Sequence, residues 1–144
     1  MSGTQKPQIT FHIEYGPVVP NRKALRKWLA NAITAEGNTL GRMAFIFVSD
    51  EQLLELNKRH LKHNTLTDIL SFPYAYDPVE ADIYISVDRI IENATDHKTR
   101  KNEELRRVMI HGVLHMCGYS DKTKEEQTEM RAAEDRYLLA WNTQ

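Results

Sequence analysis

The chain has 144 residues, of which 41% are hydrophobic and 27% are charged, and its formal net charge is −1. This composition is typical of one globular domain over residues 1–144 and excludes a disordered or fibrous chain. It also excludes a basic surface over the whole molecule, so any nucleic-acid binding must depend on local patches.

The first half of the chain predicts two strands, each followed by a helix. Apolar and polar residues alternate over residues 9–15, which indicates a half-buried strand. Residues 21–36 carry apolar side chains at helical spacing. Residues 43–48 are almost wholly apolar, as in a strand that is covered on both faces. Residues 49–61 begin with a capping-box pattern and predict the second helix.

The second half predicts two short strands and three helices. The strands are expected at residues 69–72 and 82–86, with Pro73 and Pro78 bounding a loop between them. The expected helices are residues 88–97, residues 102–117 and a last segment that begins with a capping box of Thr123 and Glu126. Helices packed on a mixed sheet predict an α/β or α+β fold.

Between His111 and Asp121 the chain carries the pattern of a metal site. His111 and His115 are four residues apart, so both imidazoles lie on one helix face and can reach a single ion. Gly118 supplies the turn that ends such a helix, and the reversed chain brings Asp121 back to the same point. Three protein ligands and a fourth position left to water are typical of catalytic zinc. We predict one divalent metal, Zn²⁺, with metal-bound water as the reacting group.

The same segment resembles a known family. H-G-V-L-H-M-C-G-Y at residues 111–119 is similar to the signature H-G-x-L-H-x-x-G-Y of the YbeY family, bacterial zinc-dependent endoribonucleases linked to ribosomal RNA maturation. Leu56 and Asn57, followed by T-D-I-L-S-F-P at residues 67–73, resemble its L-N and T-D-V-L-S-F-P elements. A-D-I-Y-I-S at residues 81–86 is similar to its G-D-I-x-I-S strand.

The resemblance covers about residues 56–121 and implies both a fold and a function. The implied fold is a four-stranded mixed sheet with about five helices, with the metal on a helix and its exit turn. The implied activity is hydrolysis of RNA in ribosomal RNA processing and ribosome maturation. We expect single-stranded RNA as the substrate, because a narrow cleft admits an extended strand more readily than a duplex. The expected partners are ribosomal RNA or the ribosome, together with ribosome-associated proteins, and not DNA.

Two positions depart from the family pattern. Asp121 stands where most members have a third histidine, and a carboxylate binds zinc at nearly the same bond length. This substitution leaves manganese or iron open as the native ion. Leu61 stands where the family has an arginine. The nearby candidates for binding RNA in its place are Lys58, Arg59, Lys62 and His63.

The location of the protein follows from two absences in the sequence. The N-terminal residues M-S-G-T-Q-K-P contain no apolar signal core, and no apolar run is long enough to span a bilayer. Cys117 is the single cysteine, which excludes an intramolecular disulfide. We therefore expect a cytoplasmic protein without a membrane partner.

Two other functions fit parts of the pattern. A metzincin-like metalloprotease has similar ligand spacing, but the glutamate that acts as its general base is replaced here by Gly112. A ribosome-associated module with a structural metal would favour four ligands and cysteine, and Cys117 is better explained by core packing. The sequence identifies no general base.

Overall fold

Four strands form one mixed sheet in the computed structural model, which describes residues 6–61 and 67–143. The sheet order is β1-β2-β4-β3, with β1–β2 and β2–β4 parallel and β3–β4 antiparallel. The strands are β1 (Gln8–Ile13), β2 (Leu40–Val48), β3 (Ile69–Tyr76) and β4 (Val79–Ser86).

Helices cover both faces of this sheet, which confirms the predicted mixed α+β architecture. The described residues contain α1 (Arg22–Ala35), α2 (Asp50–Leu61), α3 (Val87–His97), α4 (Lys101–Met116) and α5 (Lys124–Asn142). Both predicted capping boxes are present, one at Ser49 and Gln52 and one at Thr123 and Glu126. None of these helices is long and apolar enough to cross a membrane.

The central strand β2 shows why both faces need a cover. Phe45 and Phe47 point into the main core, which α1, α4 and α5 share. Ile46 and Val48 point to the opposite face and pack against Leu53 of α2. Burial on both faces explains the unbroken apolar run of this strand.

The region between β3 and β4 differs from the prediction. Residues 73–81 were expected to form a loop, but β3 continues through Pro73 to Tyr76, and β4 begins at Val79. Because β3 is an edge strand, the proline nitrogen, which has no hydrogen to donate, can face away from the neighbouring strand. The register shifts immediately after Pro73, which accommodates the irregularity.

The first strand ends earlier than its alternating pattern predicted. β1 stops at Ile13, because the backbone N–H groups of Glu14 and Tyr15 both donate to the Phe47 carbonyl and turn the chain away. Tyr15 is exposed, and its hydroxyl donates to Asp88 on α3. The alternation therefore continues for two residues beyond the strand.

Gly112 fixes how closely α4 approaches the sheet. A β-carbon at this position would lie 3.0 Å from Ile69 Cδ1 and 3.2 Å from Ile83 Cδ1. The helix backbone therefore lies almost directly on β3 and β4. This contact sets the depth of α4, which carries both histidines of the predicted metal site.

Candidate metal centre

Two imidazoles and a carboxylate converge at the C-terminal end of α4. His111 Nε2 lies 2.9 Å from His115 Nε2, and Asp121 Oδ2 lies 3.4 Å and 3.5 Å from these two nitrogens. A tetrahedral zinc ion with bonds of about 2.0–2.1 Å separates its ligands by about 3.3 Å. The two distances to Asp121 match this separation, whereas the two Nε2 atoms lie closer together than it. The structure thus brings the three predicted ligands together near the spacing that such an ion requires.

The exit turn of α4 returns the chain to the histidines. Gly118 has φ +103°, a left-handed conformation that favours glycine, and its N–H donates to the His115 carbonyl. The N–H of Tyr119 donates to the Leu114 carbonyl, which closes the helix end. Two residues further on, Asp121 faces the imidazoles.

Hydrogen bonds to the Nδ1 atom of each ring leave the two Nε2 atoms available to bind a cation. His111 Nδ1 lies 2.7 Å from Glu134 Oε2, and His115 Nδ1 lies 3.0 Å from the Tyr119 carbonyl. Carboxylate and carbonyl oxygens accept, so each Nδ1 carries the proton, and Nε2 of a neutral ring offers its lone pair. Two such lone pairs at 2.9 Å repel each other unless a positive charge lies between them. The donor set therefore fits a metal ion.

Glu134 on α5 is the residue that orients His111. Its carboxylate is buried and also accepts from Arg107 at 2.8 Å, while Arg107 donates to Asp135 at 2.7 Å. Burial on its own would raise the pKa of Glu134, but the hydrogen bonds from His111 and Arg107 lower it overall. In zinc sites, a histidine that binds the metal with one ring nitrogen commonly donates a hydrogen bond from the other to a carboxylate.

The pKa of His111 also depends on its contact with Glu134. Burial on its own lowers the pKa of this imidazole, but the hydrogen bond and charge of Glu134, together with Asp121 and Asp68, raise it overall. The surroundings therefore favour positive charge at this end of α4. The same negative groups would stabilise a divalent cation bound to the Nε2 atoms.

His111 and Asp121 line a cleft of about 410 Å³ between α4, α5 and the residue that precedes β3. Asp68 lines this cleft, and burial raises the pKa of its carboxyl although the charge of His111 opposes that effect. The backbone of Asp68 is held by a hydrogen bond from Ser86 N to its carbonyl. The side chains of His111, His115 and Asp121 are 24%, 30% and 42% exposed, so the metal group is accessible from the cleft.

The predicted RNA-binding cluster lies elsewhere or outside the described residues. Lys58 and Arg59 are exposed at the C-terminal end of α2, where Arg59 pairs with Glu55 at 3.3 Å. Neither side chain lines the cleft. Lys62 and His63 lie outside the described residues, so RNA binding by this cluster stays a prediction.

Sequence reasoning missed Glu134, although a signal for it exists. Glu134 lies four residues after Met130 and three before Tyr137, on the apolar stripe of the last helix. A charged residue in the middle of a buried stripe must have a buried partner. Cys117 packs against the main core as expected, and burial raises the pKa of its thiol to about 11.

Comparisons with known proteins agree with the fold and with the motifs. The profile of the family described as Endoribonuclease YbeY matches residues 10–142. Relatives named Endoribonuclease YbeY include a protein of Flavobacterium psychrophilum, 44% identical over 90% of this chain and 94% of the relative. Another, from Amoebophilus asiaticus, is 46% identical over 85% of this chain and 84% of the relative.

A solved structure shows the same fold. The solution structure of TM1509 from Thermotoga maritima has a TM-score of 0.62 and 26% identity, and the match covers 94% of this chain and 93% of that one. The sequence profile spans nearly all of the described strands and helices, including the three converging side chains on α4 and its exit turn. The chain therefore belongs to the Endoribonuclease YbeY family.

Proposed function

We propose that this protein is a zinc-dependent endoribonuclease that hydrolyses single-stranded RNA during ribosomal RNA maturation. The observation that carries the proposal is the convergence of His111, His115 and Asp121 beside a cleft that His111 and Asp121 line, in a chain that belongs to an endoribonuclease family. Zinc is proposed over other divalent ions because two imidazole nitrogens and one carboxylate oxygen suit its tetrahedral preference.

The residues of the chain divide the work around this centre. When bound, zinc would acidify a water molecule and polarise a phosphoryl oxygen of the substrate. Glu134 and the Tyr119 carbonyl hold the two imidazole rings in the orientation that directs both Nε2 atoms to one point. Asp121 contributes the third ligand atom from the exit turn, so α4 and its turn together form the centre.

The shape of the cleft supports a single strand as the substrate. Its volume of about 410 Å³ falls in the range of about 300–1,000 Å³ typical of sites for one small ligand. One nucleotide of an extended strand matches this size, whereas a duplex would have to lie across the opening. The proposed physiological substrate is ribosomal RNA, encountered in the cytoplasm on the ribosome or on its precursors.

The position of Gly112 argues against peptide hydrolysis. In metzincins the residue after the first histidine is the glutamate that acts as general base. Here that position faces the sheet, and even a β-carbon would lie 3.0 Å from Ile69 Cδ1. No acidic side chain could reach the cleft from this position without displacing α4.

The position of Cys117 argues against a structural metal. Its side chain packs against the main core and does not belong to the group of converging ligands. The three converging side chains are partly exposed, as at a catalytic site that keeps one position open.

The direct test is cleavage of single-stranded RNA by the purified protein before and after chelation, with denatured casein as a second substrate. We expect RNA cleavage that chelation removes and added zinc restores, and no hydrolysis of casein. His115→Ala and Asp121→Ala should lose both zinc and cleavage. The matched controls His12→Ala and Asp96→Ala change exposed residues outside the cleft and should keep both. RNA cleavage that survives exhaustive chelation would refute the proposal.

A further inference from the structure

The basic side chains that line the cleft differ in whether they already have an acidic partner. His97 lies 3.4 Å from Glu104, and Arg107 forms ion pairs with Glu134 and Asp135. Arg131 also lines the cleft and is exposed, but it forms no ion pair or hydrogen bond with any residue in the described part of the chain. The residues outside the described ranges, 1–5, 62–66 and 144, contain no acidic side chain that could pair with it.

The position of Arg131 on α5 places it beside the metal ligands. Gln127 and Glu134 are four residues before it and three after it, so all three project from one helix face. Gln127 Nε2 donates to the Asp121 carbonyl at 3.0 Å, and Glu134 accepts from His111 at 2.7 Å. Arg131 therefore stands between two residues that each contact a metal-binding residue.

Most of the charged side chains that line the cleft are negative, so an unpaired guanidinium is important for binding an anion there. Four carboxylates line the cleft, those of Asp68, Glu104, Asp121 and Glu134, and they oppose the approach of a polyanion. The net charge of −1 gives no long-range attraction to compensate. A guanidinium matches two phosphate oxygens with its planar fork and is less strongly hydrated than an ammonium group.

We propose that Arg131 is a substrate-binding residue that pairs with a backbone phosphate of single-stranded RNA next to the metal centre. The inference rests on the proposed nuclease activity and adds the group that holds the strand. The inference depends on the position of Arg131. It is the cation without a described partner on the cleft face of α5, and it lies between Glu134, which contacts His111, and Gln127, which contacts Asp121.

The test is the steady-state kinetics of RNA cleavage by zinc-loaded Arg131→Gln, Arg131→Lys and wild-type protein over a series of KCl concentrations. Removal of one charged hydrogen-bonding group should lower kcat/KM about tenfold for the glutamine variant, mainly through KM. Arg131→Lys should recover part of the loss because it keeps the charge without the fork. The slope of log kcat/KM against log salt should become shallower by about 0.7, the value for one phosphate contact on a single strand.

The control is Lys27→Gln, which removes one exposed positive charge from α1, away from the cleft. We expect this control to leave kcat/KM and the salt slope unchanged. An Arg131→Gln variant with wild-type kcat/KM and salt slope would overturn the inference. Loss of bound zinc or of thermal stability in that variant would also overturn it, because the arginine would then support the metal centre. Failure of the zinc-loaded wild type to cleave RNA would instead refute the nuclease proposal itself.

Discussion

Glu134 connects the two helices that form the metal centre. It extends from α5, accepts from His111 on α4 with one carboxylate oxygen, and accepts from Arg107 with the other. A buried carboxylate that accepts hydrogen bonds from an imidazole and a guanidinium stays ionised, and its pKa is lowered accordingly. The negative charge in turn makes the imidazole of His111 a stronger electron donor toward a metal.

We predict that Glu134→Gln weakens zinc binding about tenfold or more. The amide can still accept one hydrogen bond from His111, but it removes the negative charge that raises the basicity of the ring. The measurement is competition for zinc against a chelator of known affinity. Asp135→Asn is the matched control, because Asp135 contacts the same arginine but not the histidine. Equal zinc affinities of the two variants would contradict this role of Glu134.

At the residue scale the sequence predicted which three side chains converge, but not the residue that orients His111. His111, His115 and Asp121 come from eleven consecutive residues, and helical spacing with a turn glycine is enough to bring them together. Glu134 is 23 residues away from His111, and their contact depends on how α5 packs against α4. No local pattern contains that packing, so a contact of this kind had to come from the tertiary structure.

Gly112 has no side chain, which allows helix α4 to pack closely against the sheet. Ile69 on β3 and Ile83 on β4 occupy the space that a side chain would take. The same close approach brings the helix end near Asp68, which lies just before β3 and lines the cleft. The packing of one element thus determines the shape of the site.

We predict that Gly112→Val lowers the free energy of unfolding by about 1–3 kcal/mol, the usual cost of overpacking a core. The added methyl groups must displace buried isoleucine side chains or lift α4 from the sheet. Urea unfolding measures the change, and Ala132→Val on the exposed face of α5 serves as the control. A Gly112→Val protein as stable as the control variant would show that α4 does not lie so close to the sheet.

A second contact between elements joins α5 to the end of α1. The hydroxyl of Tyr137 donates to Glu36, which also accepts from Arg136 at 3.2 Å. Burial, and then the hydrogen bond to Glu36, raise the pKa of Tyr137 to about 12. The folded state therefore holds the phenol proton more tightly than the unfolded chain, whose tyrosines have a pKa of 10.0.

We predict that Tyr137→Phe lowers the free energy of unfolding by about 1.5–3 kcal/mol at pH 8, because a hydrogen bond to a charged group is lost. A raised pKa contributes stability that is complete below about pH 10 and is lost as the pH rises toward 12. The difference between wild type and variant should therefore be smaller at pH 11 than at pH 8 in urea unfolding. The exposed Tyr76→Phe is the control, and a pH-independent difference would contradict the assignment.

The elements also show where sequence patterns stop being informative. The apolar run of β2 predicted a strand covered on both faces, since local composition reports burial directly. Pro73 suggested a strand end, but whether a proline is tolerated depends on whether its strand lies at an edge. Edge position is a property of the sheet order, so the β3–β4 hairpin was predicted too short.

Over the whole molecule, the metal centre lies where three parts of the chain meet. The first three turns of α4, one face of α5 and Asp68 just before β3 all line the same cleft. An ion that binds only the folded chain stabilises it in proportion to the logarithm of the ion concentration. A metal ion bound at this site would therefore couple metal binding to folding.

We predict that saturating zinc raises the Tm of the metal-free protein, and that the shift is lost in Asp121→Ala. Zinc at 100 times its Kd contributes about 2.7 kcal/mol of stability through this linkage. Differential scanning calorimetry of both proteins with and without zinc measures the effect. A wild-type Tm that does not respond to zinc would contradict a site formed by the folded chain.

The most direct measurement of the central claim is anomalous diffraction at the zinc edge from crystals of the zinc-loaded protein. We expect one peak within about 2.0–2.2 Å of His111 Nε2, His115 Nε2 and an Asp121 carboxylate oxygen. A peak at another place, or these three side chains turned away from a common centre in an enzyme that still cleaves RNA, would contradict it.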